Sequence, residues 1–433
     1  MLPKFPFPQA RRNHAAFTGA VAWTAFGRLL HGAALWMLPI VLLRVRGSSE
    51  AGEFALAFAI VTPLVVSFRL NLRQVLATDS IQEYRASDYF ICTAVLMAAA
   101  ITCANRITSL SSSSQLGVLV LSTSLFLAVD SFNELTYGIF QRAYRMDLVG
   151  RSLAGRGLLS VATTLTLLGT GASTSVILNG LAVVAAGALS IDASHARQLL
   201  RTGAPPRHAG VPPIGEGRCR FPALPIFFSG FPLGITVYVM LLSEHATRYV
   251  VELLVGTEAL GVFATLLGVF AIGNVFCSSV AQSILPRLSQ YFAEGRGDNY
   301  VRLVLQAASV CLFVGVVSIF VAWILGSVLL RWLLGPEGRE HLPLLVVLAI
   351  AGAATYTCQI LGTAVVAMRR FWLPLPVNLL SLFATVLTAW WLVPTYGLVG
   401  AAWTQVLSVG IRLGLYAALI VSIPPSHSPH GGP

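Results

Sequence analysis

The chain is poor in charge. Asp, Glu, Lys and Arg make up only 10% of its 433 residues, against about a quarter in soluble domains, which excludes a soluble globular fold. Lysine is almost absent: Lys4 stands alone, and every other basic residue is arginine. Six cysteines (Cys92, Cys103, Cys219, Cys277, Cys311, Cys358) show no metal-ligand spacing and sit mostly inside apolar runs, as small core residues do. No metal is expected. Nucleophile motifs, phosphate-binding glycine loops and HExxH pairs are all missing. The chain therefore reads as a non-enzyme with no cofactor. Its net charge of +11 is scattered between apolar runs and forms no stripe with aromatics, so nucleic acid is not an expected partner.

What is present is hydrophobicity in long runs, 56% of residues overall with a mean hydropathy of +0.78. The runs are too long and too uniformly apolar for barrel strands. They predict an all-α polytopic membrane protein of about twelve transmembrane helices, near 15–43, 52–76, 88–107, 116–140, 152–170, 174–195, 222–246, 259–284, 302–330, 343–368, 375–393 and 397–422. The first run is too long for a signal-peptide core and reads as an uncleaved span.

The connections alternate in arginine content. One set holds Lys4, Arg11 and Arg12, then Arg85, then Arg142, Arg145 and Arg151, then five arginines between Arg197 and Arg220, then Arg287, Arg296, Arg369 and Arg370; the other holds only Arg44, Arg46, Arg106, Arg331 and Arg339. The positive-inside rule places both termini in the cytoplasm.

A sequence echo divides the chain. Gly47-Ser48-Ser49-Glu50-Ala51-Gly52-Glu53-Phe54-Ala55 and Gly256-Thr257-Glu258-Ala259-Leu260-Gly261-Val262-Phe263-Ala264 share one spacing: Gly, four residues, Gly, one residue, Phe-Ala. Gly138 with Arg145 and Gly362 with Arg369 form a second echo. The expected plan is two six-helix pseudo-repeated lobes. Residues 1–195 form an N-lobe, 196–222 a Pro-, Gly- and Arg-rich cytoplasmic linker, 223–423 a C-lobe and 424–433 a disordered tail.

The chemistry resides in ionisable residues that hydropathy places inside the membrane. Arg28 lies near the middle of the first span, with His31 on its face. Arg69 and Arg73 share a face of the second span, Arg248 ends the seventh, and Arg412 lies in the twelfth. An arginine at a helix centre costs about 2.5–3.5 kcal/mol, so five facing lipid would cost about 12–17 kcal/mol, as much as a whole domain's stability. They snorkel, pair, or face a wet cavity; in a cavity, guanidinium groups suit a phosphate-bearing substrate. Asp130 and Glu134 sit one turn apart on the fourth span, and Glu244 lies four residues before Arg248. These acids are either salt-bridge partners for the arginines or, with His31 and His245, a relay for a coupling proton or sodium ion.

Four segments carry a family resemblance: Arg44 to Ala55 with Leu70-Asn71-Leu72-Arg73; Asp130 to Arg142, followed by Arg145-Met146-Asp147 and Arg156-Gly157; Thr247-Arg248-Tyr249 through Gly256 and Gly261; and Pro394 to Ala402. On these the chain resembles the oligosaccharide and polysaccharide flippases (Wzx-type O-antigen transporters) of the multidrug/oligosaccharidyl-lipid/polysaccharide exporter superfamily. Thr247 stands where that family usually has proline, and His245 where a small polar residue is common. The resemblance implies two lobes rocking around a cationic cavity, in the bacterial inner membrane. The cargo would be an anionic lipid-linked oligosaccharide, carried by an antiport-type mechanism.

Overall fold

A computed structural model describes residues 14–78, 86–109, 114–143, 145–202, 223–368 and 372–422. Lys4, Arg11, Arg12, Arg85, Arg369, Arg370, most of the linker and the tail lie outside these residues. Among the described residues there is no strand. The helices are α1 (His14–Arg46), α2 (Ser48–Phe68), α3 (Leu72–Thr78), α4 (Ala86–Thr108), α5 (Ser114–Arg142), α6 (Met146–Gly169), α7 (Thr174–Thr202), α8 (Ala223–Leu254), α9 (Thr257–Val269), α10 (Ala271–Ala293), α11 (Gly297–Leu334), α12 (Leu342–Ala367) and α13 (Pro374–Ser422). Eight of these are long and apolar enough to cross a membrane, or nine with the bent pair α9–α10 taken as one.

The 49-residue α13 is two helices. Gly397 leaves helical geometry at φ 58°, and Thr385 bonds Ser408 at 2.6 Å while Tyr416 bonds Asn378 at 3.3 Å. A straight helix would hold residues 23 apart about 35 Å from each other. The contacts meet only if the chain doubles back at Gly397. With α13 as two crossings, and α2–α3 and α9–α10 as one each, the described helices make twelve passes along the bundle, although α6 and α8 are not among those long and apolar enough to cross a membrane.

The two halves repeat one packing plan. α1 lies on α6 as α8 lies on α13; α4 lies on α5 as α11 lies on α12; α5 lies on α7 as α12 lies on α13. The echo marks the meeting point. Gly47 and Gly256 precede α2 and α9 with φ 94° and 106°, a left-handed geometry that glycine adopts without strain. One turn on, a Cβ on Gly52 would collide with the carbonyl of Thr257, and a Cβ on Gly261 with the carbonyl of Ser48. These contacts exchange under the same 209-residue offset that relates the echoes, so α2 and α9 face each other across a pseudo-twofold axis. Both turns lie at one end of the bundle, which the pairing of α2 with α9 closes; the other end carries the start of α1 and the ends of α7 and α13.

Two of the expected spans are broken. The second divides at Arg69–Asn71, where Leu70 and Asn71 take left-handed φ of 48° and 55°. Asparagine tolerates that region and leucine resists it. Leu70 is held there from the other lobe: a Cβ on Gly230 or Gly234 of α8 would strike it. The eighth span bends by 46° between α9 and α10, where the Tyr356 hydroxyl donates to the carbonyl of Phe270 at 2.7 Å beside the backbone bond from Asn274. Continuous hydropathy conceals both breaks, because each is made by packing. The helix ending the N-lobe also continues past 195 to Thr202.

A candidate anion site

In the N-lobe the break at Arg69–Asn71 sets the geometry. Arg69 and Arg73 do not share a face of one continuous helix, as the sequence suggests. Arg69 caps α2 and Arg73 lies on α3, and the kink directs both at α5. Arg69 donates to Asp130 at 2.9 Å and to the Ser131 hydroxyl at 2.8 Å. Arg73 donates to Glu134 at 2.6 Å and lies over the ring of Tyr137, 5.8 Å from its centroid. The one-turn spacing of the acids thus matches the four-residue spacing of the arginines.

A third arginine completes the cluster. Arg156 of α6, 2% exposed, donates to Asp130 at 2.6 Å and to the Tyr137 hydroxyl at 3.2 Å. Tyr137 meets Ser152 at 2.9 Å, and Ser152 donates to Asp192 at 2.5 Å. Gly157 beside it lets the α6 backbone approach α1 at Leu30 and His31. Asp130 is therefore held by two cations, and burial without them would be prohibitive.

Arg28 is different. It has no carboxylate within ion-pair distance among the described residues, although Arg73 and Glu134 act on it electrostatically. Its guanidinium donates to the side-chain oxygen of Gln282 on α10, 2.5 Å away in the opposite lobe. His31, one turn on, has a buried Nδ1 with no hydrogen-bond partner.

The C-lobe arginines are less engaged. Arg412 meets Glu244 at 3.4 Å, and its Nε is buried without a partner. Arg248, 8% exposed, bonds His245 Nδ1 at 3.0 Å; its Nε also lacks a partner, and no acid lies within ion-pair distance among the described residues. Gln405 reaches Thr247 at 3.0 Å, tying α13 to α8 between these groups. The hydroxyl of Tyr249 crosses to the Ala59 carbonyl of the other lobe at 2.5 Å.

The structure brings the sequence-derived cations and acids together in pairs: Arg69 with Asp130, Arg73 with Glu134, Arg412 with Glu244, and Arg248 with His245. Arg28 and His31 lie on α1, joined to the rest through Gln282 and through the charges of the N-lobe cluster. Gln282 has no place among the sequence-derived site residues, and Arg156 stands there only as part of a family motif. Arg156 carries the signal that marked Arg28, a lone arginine well inside a span; Gln282, being neutral, carries none. Chemically, Arg28, Arg248 and Arg412 retain donor capacity that no carboxylate saturates. An oxyanion entering the bundle would find N–H groups able to bind it.

No known family profile matches the chain. Among solved structures, a lipid II flippase, MurJ in an inward closed conformation, aligns with TM-score 0.68 at 14% identity over 94% of this chain and 87% of that one. A mutant form of the Vibrio cholerae MATE transporter VcmN aligns with TM-score 0.65 at 12% identity over 94% of this chain and 98% of that one. The chain shares the fold of these two transporters. Within that fold, the chain is also similar in sequence to the capsular polysaccharide biosynthesis protein CapF of Staphylococcus aureus. The two are 24% identical over 389 residues, which cover 88% of this chain and 93% of CapF.

Proposed function

We propose that this multi-pass membrane protein moves a polyprenyl-diphosphate-linked oligosaccharide from the cytoplasmic to the outer leaflet of a bacterial inner membrane, for surface polysaccharide assembly. The observation that carries the reading is a surplus of cation inside the bundle: Arg248, buried, and Arg28, half-buried, one in each lobe, have no carboxylate within ion-pair distance among the described residues. A buried charge without a counter-ion is costly, and a diphosphate entering the bundle supplies one. The likeness to CapF supports polysaccharide as the cargo's sugar class, and the likeness to MurJ supports a lipid-linked one. In this reading both termini and the linker face the cytoplasm, consistent with the arginine-rich connections.

The cycle requires that the two openings hold the anion with different affinity. Arg28 and Arg412 contact the diphosphate centrally, Arg73 at the cytoplasmic mouth and Arg248 at the outer one. Because Arg412 and Arg73 are paired with acids, cargo and carboxylate compete for the same guanidinium. A proton or sodium ion arriving at Glu244 or Glu134 changes that competition and couples an ion to transport.

The test is glycan export in a strain lacking this protein, complemented by variants at matched abundance. Arg28→Ala is expected to abolish export while the protein remains inserted. Arg28→Lys separates a need for charge from a need for the bidentate fork. Normal export by both Arg28→Ala and Arg412→Ala would remove the cationic-site mechanism. One observation favours a rival, an exporter of cations: the bundle also contains a cavity bearing Glu53 and Glu252. Efflux of a lipophilic cation dye, lost in Glu252→Gln and kept in Arg28→Ala, would select that rival.

A further inference from the structure

The cavity with the two glutamates lies apart from the arginines, between the lobes, and encloses about 590 Å³. Its N-lobe wall is a stripe of α2, Leu56, Ile60 and Leu64, four residues apart and so on one helix face. Its C-lobe wall is the second half of α8, from Tyr238 to Leu253. Glu53 and Glu252 stand at the end nearest the Gly47 and Gly256 turns.

The dimensions match a lipid chain. From Glu53 to Leu64 the α2 backbone rises about 16 Å at 1.5 Å per residue, and one leaflet of hydrocarbon is about 15 Å deep. Over that depth the crevice is lined mainly by leucine and isoleucine, with Tyr238 and Tyr249 on the α8 side, and its carboxylates stand only at the top. Ile107 and Leu253, which line it, are 47% and 72% exposed, so its rim continues into the outward-facing apolar surface of the bundle.

The polar end carries the wrong sign for a phosphate. Glu252 receives the Thr257 hydroxyl at 2.7 Å on one oxygen and leaves the other buried and without a partner. Glu53 faces it from the other lobe, close enough for each to act on the other electrostatically. An anionic headgroup is repelled here, whereas Arg248, one turn earlier on α8, attracts it.

Resting on the flippase reading, we propose that this crevice is the outer-leaflet berth of the cargo's polyprenyl chain, and that Glu53 and Glu252 drive the diphosphate out of its mouth. The chain lies between α2 and α8 while the headgroup passes from the arginines into repulsion by like charge. Binding and release are thereby assigned to different residues: apolar stripes hold the tail, and carboxylates eject the head.

The experiment uses the full-length protein in lipid nanodiscs and a polyprenyl diphosphate carrying a diazirine at the tail end. Photolabelling is expected on α2 and α8 around Leu64 and Leu242, the end of the crevice away from the glutamates. It should fall about tenfold in Leu56→Trp, which fills the crevice, and in Leu253→Trp, which narrows its exposed rim with little risk to folding. The Glu53→Gln, Glu252→Gln double variant should retain the probe about tenfold longer. Labelling that maps to other helices, or that both Trp variants leave intact, overturns the proposal. Equal labelling by a diazirine phosphatidylethanolamine or by a lipophilic cation also overturns it, because the site would then be a general lipid or cation pocket. Failure of the flippase reading is visible separately, as normal glycan export by Arg28→Ala and Arg412→Ala whatever the labelling shows.

Discussion

The two lobes share one packing plan and, Arg28 apart, pair their intramembrane arginines differently. In the N-lobe, Arg69, Arg73 and Arg156 each meet a carboxylate at 2.6 to 2.9 Å. In the C-lobe, Arg412 meets its acid at 3.4 Å and Arg248 meets only a histidine. Duplication fixed where the helices run, and the charges diverged within that frame. The N-lobe uses its cations to join α2, α3, α5 and α6, whereas the C-lobe leaves donors free. The two lobes should therefore respond differently to the same kind of substitution.

The largest effect on stability is expected at Arg156→Ala. Removing one partner of a buried pair costs about 3–5 kcal/mol, and here it also strips Asp130 of one of its two cations. Thermal unfolding of the purified protein should show a large loss, and abundance in the membrane should fall. A stability equal to the wild type would mean that the N-lobe cluster is not structural, and the contrast between lobes would collapse.

Next come the paired glycines. Gly52→Ala and Gly261→Ala each force a methyl group against a carbonyl of the opposite lobe, and overpacking of this kind costs about 1–3 kcal/mol. The expected outcome is two similar losses, since the contacts are reciprocal. A large loss from one and none from the other would break the symmetry argument.

The smallest effects on stability belong to the C-lobe. Glu244→Gln removes a long pair whose acid is partly exposed and keeps an amide oxygen as acceptor for the buried Arg412, at a cost of about 1 kcal/mol. Arg248→Met exchanges a buried cation lacking an acid for an apolar chain, which is neutral or stabilising. Both variants should unfold within a few degrees of the wild type, yet Arg248→Met should lose most export. A marked stability loss in Arg248→Met would show that this arginine is structural after all.

Much of this arrangement is legible in the sequence. The apolar runs predict the twelve passes, because a lipid-facing helix has few alternatives. The Gly47–Ala55 echo predicts two related halves, although it does not reveal that the two copies touch. The match between Asp130/Glu134 and Arg69/Arg73 is visible as spacing, but pairing is a tertiary choice, and the same residues read equally well as separate binding and relay groups. The break at Leu70 leaves only Asn71 as a local signal; the glycines that hold Leu70 lie 160 residues later on α8. Gln282 is invisible to a search organised around charge, since its amide carries none. Arg156 is visible, but it reads as part of a motif rather than as a buried cation until its neighbours are known.

The reciprocal glycine contact also constrains how the protein is made. Gly52 packs on Thr257, and Gly261 on Ser48, so neither copy of the turn finds its partner until some 200 further residues have been synthesised. At about 5–20 residues per second, α2 waits roughly 10–40 seconds with a backbone notch facing lipid. The first lobe must therefore remain in the membrane through that interval with its central face unfilled, and synthesis of the second lobe supplies the surface that closes it.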